Sequence, residues 1–230
     1  MSANIKKAVR YILCTEEGKE IALEYDKVTD FKNGFARVEL NGKSGYINEI
    51  GEEIIPPKYD KVSDFKNGFA EIKLNGKIGF IDETGKEIVP PKYDYGGNFV
   101  NGLAEIKLNG KVGFIDKTGK EIVPLKYDYV YNFRQGFASV ILDGKIGCFN
   151  ETGKEIVPPK YDYVGDFKNG FAQVRLNGKI GYINEIGEEI VPPKYDKVSD
   201  FKKGFARVEL NDKYGFINKT GKEVVPIIFD

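Results

Sequence analysis

Phe69-Ala70-Glu71-Ile72-Lys73-Leu74-Asn75-Gly76-Lys77-Ile78-Gly79-Phe80-Ile81 carries two strands and the turn between them. Ala70, Ile72 and Leu74 alternate with Glu71 and Lys73, the period of two that predicts a half-buried strand. Asn75-Gly76 is a strong hairpin signal, because both central residues of a type I′ turn need positive φ. The returning Ile78-Gly79-Phe80-Ile81 is apolar towards both faces, so it predicts a strand covered on both sides. Thr84-Gly85 then turns the chain into Glu87-Ile88-Val89. Pro90-Pro91 is expected to end regular pairing there, since proline cannot donate to a ladder. The expected unit is a three-stranded meander, with room for a short fourth strand near Tyr93 to Phe99.

This unit recurs. Tyr-Asp stands at Tyr25-Asp26, Tyr59-Asp60, Tyr93-Asp94, Tyr127-Asp128, Tyr161-Asp162 and Tyr195-Asp196, and Phe229-Asp230 closes the series, every step being 34 residues. Full repeats therefore occupy 27–60, 61–94, 95–128, 129–162, 163–196 and 197–230, with 1–26 a degenerate first copy, all within one repeat domain spanning 1–230. A period of 34 also suits helical repeats, but alternation and Asn-Gly turns exclude them. The fold class is all-β, seven units in tandem. A β-propeller-like ring is the preferred arrangement and an open β-solenoid the alternative. Gly79 and its equivalents Gly45, Gly113, Gly147, Gly181 and Gly215 are expected to admit an aromatic from a neighbouring unit. Phe31, Phe65, Phe99, Phe133, Phe167 and Phe201 are the candidates, one per period.

Composition removes several functions. Lys plus Arg and Asp plus Glu are 35 each, and without a basic excess neither nucleic acid nor an anionic membrane is expected as a partner. With no His and two Cys in unrelated contexts, imidazole bases, His-ligated metals and Cys–His pairs are unavailable. No cofactor, no metal and no catalytic residue is expected, and the chain reads as a non-enzyme. The N-terminal residues show no apolar run after their basic pair and Cys14 and Cys148 read as free thiols, so a cytoplasmic protein is expected. The Asp of each Tyr-Asp pair serves the unit rather than a single site, accepting backbone N–H bonds in the turn after the prolines.

Lys111-Val112-Gly113-Phe114-Ile115-Asp116-Lys117-Thr118-Gly119-Lys120-Glu121-Ile122, with the prolines and Tyr-Asp after it, resembles the bacterial WG repeat over residues 10–230. The Trp of that motif is replaced in every full copy, by Ser44, Ile78, Val112, Ile146, Ile180 and Tyr214. The resemblance implies a β-rich module that mediates interactions and brings no catalytic residues with it.

Positions that vary between copies are where a surface function can lie. The outward pairs of the first strand, from Arg37/Glu39 to Arg207/Glu209, read as a mixed-charge solvated face that Ser139 and Ile141 interrupt. Cys148 stands where other copies have an aromatic. After Tyr-Asp come Lys27, Lys61 and Lys197 in the outer copies but Tyr95, Tyr129 and Tyr163 in the middle ones, and Tyr131 adds a fourth aromatic. Tyr95, Tyr129, Tyr131 and Tyr163 are the candidate ligand-binding residues, since tyrosine is apolar in body and polar at its tip. The expected function is a scaffold that binds a protein partner through this patch. The alternatives are a lectin-like carbohydrate-binding toroid and a self-assembling spacer, a homo-oligomer joined through Ile227, Ile228 and Phe229.

Overall fold

The computed structural model describes residues 11–229; the readings placed on the N-terminal residues and on Asp230 lie outside them. Six four-stranded antiparallel meanders follow one two-stranded hairpin, Tyr11–Cys14 with Glu20–Leu23, and no helix occurs among the described residues. In the fourth full repeat the strands are Tyr129–Val130, Phe137–Leu142, Lys145–Asn150 and Glu155–Tyr161. They pair in chain order and are termed here the short, alanine, glycine and proline strands. The short strand makes each meander four-stranded, and each sheet begins one residue after a Tyr-Asp pair, where the repeat boundaries fall.

Two kinds of tight turn shape each sheet. The expected Asn-Gly turn joins the alanine and glycine strands, with Asn75 at φ 51° and Gly76 at φ 78°. A second left-handed pair, Asn67 at φ 53° and Gly68 at φ 86°, brings the chain from the short strand into the alanine strand through the Lys66–Phe69 bridge. Asn and Gly tolerate this conformation best. In the last repeat the second turn position is Asp212, at φ 61°.

The prolines do not end the third long strand. Glu155–Tyr161 runs straight through Pro158-Pro159, with Val157 opposite Cys148 and Tyr161 opposite Ile146. Pro158, Pro159 and Lys160 therefore bulge over the single residue Gly147. A bulge leaves residues out of the ladder, so the missing proline donors cost nothing. It also explains the invariant spacing of the glycine: a Cβ on Gly147 would lie 2.6 Å from Val157 O and 2.7 Å from Pro159 N. The expectation that these glycines receive a neighbour's aromatic is thus corrected. The proline strand of the same sheet occupies that space.

The aromatics pack elsewhere. Phe65 lies 4.9 Å from Phe35 and 5.2 Å from Tyr46 of the preceding repeat, and Phe201 lies 4.7 Å from Phe171 and 4.8 Å from Tyr182. Each core cluster accordingly combines one face of a sheet with the opposite face of the next, as Tyr46, Ile55 and Tyr59 do with Val62, Ala70 and Ile72. Tyr59, Tyr127 and Tyr161 are fully buried, each worth about 2–3 kcal/mol of burial. Their hydroxyls donate to Glu87, Glu155 and Glu189 of the following sheet, and burial raises each phenol above its usual value.

The aspartate beside each tyrosine also works between sheets. Asp162 accepts the backbone N–H of Asn177 at 2.7 Å from the next hairpin and the ammonium of Lys145 at 2.6 Å from the previous one. Asp60, Asp94 and Asp196 do the same. The backbone bond is as expected in kind, but it reaches a hairpin tip 15 residues on rather than the turn after the prolines.

The outward residues of the alanine strand are not a freely solvated face. Half-buried Arg37 reaches Val62 O at 3.4 Å and Asp64 at 3.9 Å, and Gln173 donates to Asp200 at 3.0 Å. Only the second residue of each pair faces its own short strand, as Glu39 faces Lys27 and Ile141 faces Tyr129. By contacts the chain divides into two compact units, residues through Asn109 with Phe114–Glu121, and Gly110–Gly113 with residues from Ile122 onward.

Two outcomes follow for stability. Gly147→Ala forces the bulge off the glycine strand and lowers stability by about 2–4 kcal/mol in denaturant melts, whereas Asp212→Gly relieves a left-handed aspartate and adds about 0.5–1 kcal/mol. Asp60, Asp94, Asp128, Asp162 and Asp196 are held below the usual carboxylate range, first by the lysine ammonium and then by the hairpin N–H. A depressed folded-state value contributes stability above the unfolded value and loses it as pH falls through the folded one. Thermal melts in a pH series should therefore be level near neutrality and fall below about pH 4.

Candidate ligand-binding groove

All four candidate tyrosines are about half exposed: Tyr95 at 49%, Tyr129 at 52%, Tyr131 at 50% and Tyr163 at 47%. Each sits on or just after a short strand, whose period of two turns Tyr129 and Tyr131 outward while Val130 between them is buried. Tyr129 and Tyr131 meet edge to face at 4.9 Å. Tyr163 opposes Arg175 across the ladder, with the guanidinium 5.7 Å from its ring centroid. Tyr95, opposite Lys107, belongs to the first unit, and the other three to the second.

Tyr131 and Tyr163 line one groove of about 340 Å³, together with Arg134, Ser139, Gly165 and Asp166. A second groove of about 230 Å³ shares those last four residues and Phe137 with the first and adds Cys148 and Phe167. Both lie where the fourth full repeat meets the fifth, inside the second unit. The tyrosines were legible in the sequence; Arg134, Phe137, Gly165, Asp166 and Phe167 were not recognised as site residues. Part of their signal was present, because Ser139 and Cys148 each depart from the other copies, whereas Gly165 has a glycine equivalent in Gly97. They lie on three different segments, however, and only the packing of one sheet on the next brings them together.

Cys148 is buried in the core cluster, and burial pushes its thiol up to about 12. It stays protonated at neutral pH and forms part of the wall rather than a nucleophile. Among the described residues, no group of three or more acidic or thiol side chains could hold a metal ion.

The apolar C-terminal residues divide. Ile227 is half-buried against the cluster of Tyr195 and Phe201, whereas Ile228 is 62% and Phe229 44% exposed. Phe205 of the same sheet is 48% exposed; its equivalent Phe171 is packed by Phe201 of the following repeat.

Sheets built on one 34-residue unit, each covered by the next, with a groove at a junction of altered residues, define a tandem β-meander repeat protein. The chain belongs to the WG containing repeat family, whose model matches residues 16–43, 45–77, 78–111, 113–145, 146–179, 180–214 and 214–230. Most matched segments run from the glycine strand of one sheet to the hairpin of the next, so the family unit straddles two sheets. No curated protein matches the sequence. Among solved structures, Hsv2 of Kluyveromyces marxianus is 12% identical, with 86% of this chain and 80% of that chain covered and a TM-score of 0.35. PorZ of Porphyromonas gingivalis, a surface component of the type-IX secretion system, is 12% identical, with 90% and 36% covered and a TM-score of 0.32. The extracellular domain of BT4673 from B. thetaiotaomicron is 12% identical, with 96% and 39% covered and a TM-score of 0.27.

The burial of Cys148 and the exposure of Cys14 give a direct check. In the native protein a thiolate-selective alkylating reagent at pH 8 should label Cys14 promptly and Cys148 far more slowly, because the Cys148 thiol stays protonated, with the difference lost when denaturant is added.

Proposed function

We propose that this chain is a non-enzymatic interaction module that holds a protein partner across the groove lined by Tyr131 and Tyr163. The observation that carries the reading is the pairing of half-exposed tyrosines, fixed on laddered edge strands, with a groove beside them. Tyrosine offers a large amphipathic contact area at little entropic cost, and such residues dominate protein interfaces when set next to a pocket. A formal charge of zero favours a protein over nucleic acid or an anionic membrane. The absence of His and the protonated state of Cys148 favour binding over catalysis. Action in the bacterial cytoplasm is part of the same proposal.

The test compares wild type with a Tyr129→Ser, Tyr131→Ser, Tyr163→Ser variant, confirmed as folded by circular dichroism, in capture from source-cell lysate followed by stoichiometry on the purified pair. A one-to-one protein complex that the variant loses supports the reading. Equal recovery from both removes the groove from contention. Capture abolished by free sugar replaces it with the carbohydrate-binding alternative.

A further inference from the structure

Where one sheet meets the next, three ring positions recur. One ring opens the alanine strand, one lies on the glycine strand, and one comes from the following repeat. Phe35, Tyr46 and Phe65 fill them at the first junction between full repeats, Phe69, Phe80 and Phe99 at the second, and Phe171, Tyr182 and Phe201 at the fifth. Where the glycine-strand ring is tyrosine, its hydroxyl donates to a carbonyl of the next repeat: Tyr46 to Ser63 O at 3.1 Å, and Tyr182 to Ser199 O.

The junction of the fourth and fifth full repeats keeps two of these rings, Phe137 and Phe167, 4.2 Å apart. The third position is Cys148. Gly165 stands where Ser63 and Ser199 stand, and no side-chain donor among the described residues meets its carbonyl. Ser139 replaces Arg37 and Gln173, which reach Asp64 and Asp200 across the other junctions, and it is too short to reach Asp166. The ion pairs Lys32–Asp64 at 3.4 Å and Lys168–Asp200 at 3.0 Å have no counterpart between Arg134 and Asp166. A groove of about 460 Å³ at the first junction has the same position in the repeat, but there Tyr46 and Arg37 are among the residues that line it. At the fourth junction the space of about 230 Å³ is instead walled by Cys148 and the two phenylalanines.

We infer that this groove is a receptor for one tyrosine side chain of the partner, whose ring takes the place that the chain's own tyrosine takes at the first and fifth junctions. The inference rests on the protein-binding reading above and specifies its partner. The ring packs on Phe137 and Phe167 beside Cys148, and the phenol hydroxyl donates to Gly165 O, as Tyr46 donates to Ser63 O. An extended peptide supplies the ring, because the Tyr131–Tyr163 groove continues from the slot through Arg134 and Asp166. That donor and that acceptor match the carbonyl and N–H groups flanking such a side chain.

The experiment is an NMR titration of the full chain with N-acetyl-tyrosinamide and N-acetyl-phenylalaninamide. The tyrosine probe should bind in the millimolar range expected of so small a ligand, shift the amides of Cys148 and Gly165, and bind about five-fold more tightly than the phenylalanine probe through its hydroxyl bond. Cys148→Tyr restores the chain's own ring and should weaken binding at least about ten-fold, since filling the slot removes the packing surface. Ser139→Arg, which refills the rim as Arg37 does, gives the same loss if the first variant fails to fold. Unchanged affinity in either folded variant, or shifts that avoid Cys148 and Gly165, overturns the slot. Equal affinity for the two probes overturns the hydroxyl assignment. If the probe fails while partner capture remains sensitive to Tyr131 and Tyr163, the slot falls and the interaction module stands. If capture is insensitive to those tyrosines, the module falls whatever the probe does.

Discussion

Among the described residues, the buried clusters are shared between neighbouring sheets rather than held within one. The glycine strand is apolar on both faces, so each four-stranded meander is stable only when neighbours cover it, and the clusters that exclude water lie between sheets. That constraint accounts for the unbroken 34-residue spacing. An insertion would displace the buried tyrosine from the glutamate it meets in the next sheet, and the aspartate from the two hairpin tips it joins. Stability of such an array is carried by nearest-neighbour contacts, which is why the Tyr-Asp pair, at the point where one sheet hands over to the next, carries so many of them.

Within a sheet the governing feature is the proline bulge. Two consecutive prolines in a strand would break an ordinary ladder, yet here three residues arch over one glycine and the ladder resumes at the tyrosine. Glycine and prolines are therefore one device. The glycine admits the bulge, and the bulge shifts the strand so that Tyr161 faces the following sheet and its Glu189. Because these positions are committed to the unit, variation between copies falls on the short strand and the outward residues of the alanine strand, and, at Cys148, on the ring of the glycine strand.

Local chemistry made much of this legible. Alternation, the Asn-Gly turn and the Tyr-Asp period yield the strands, the hairpin and the repeat boundaries, because each depends on residues close in sequence. The Asn67-Gly68 turn carried the same signal as Asn75-Gly76. Pro90-Pro91 was misread because the rule against proline in a ladder does not foresee a bulge, and the glycine was assigned to the wrong neighbour for the same reason. The aspartate's backbone bond was anticipated in kind but not in place, since its donor lies across a sheet-to-sheet contact.

For the groove, sequence supplied the parts and not their meeting. Tyr131 and Tyr163 stand out by comparing copies, and so, one at a time, do Ser139 and Cys148, while Gly165 does not, since Gly97 stands at the same position. Sequence by itself determined that the chain is an all-β tandem repeat with unusual residues in its middle copies, since strand period, turn chemistry and repeat length are properties of short segments. Only the tertiary structure decided that a serine, a cysteine and a glycine from three segments border one space beside two tyrosines. That depends on how the face of one sheet lies against the loop of the next, and side-chain volume across such a junction is a property of packing, which no single segment encodes.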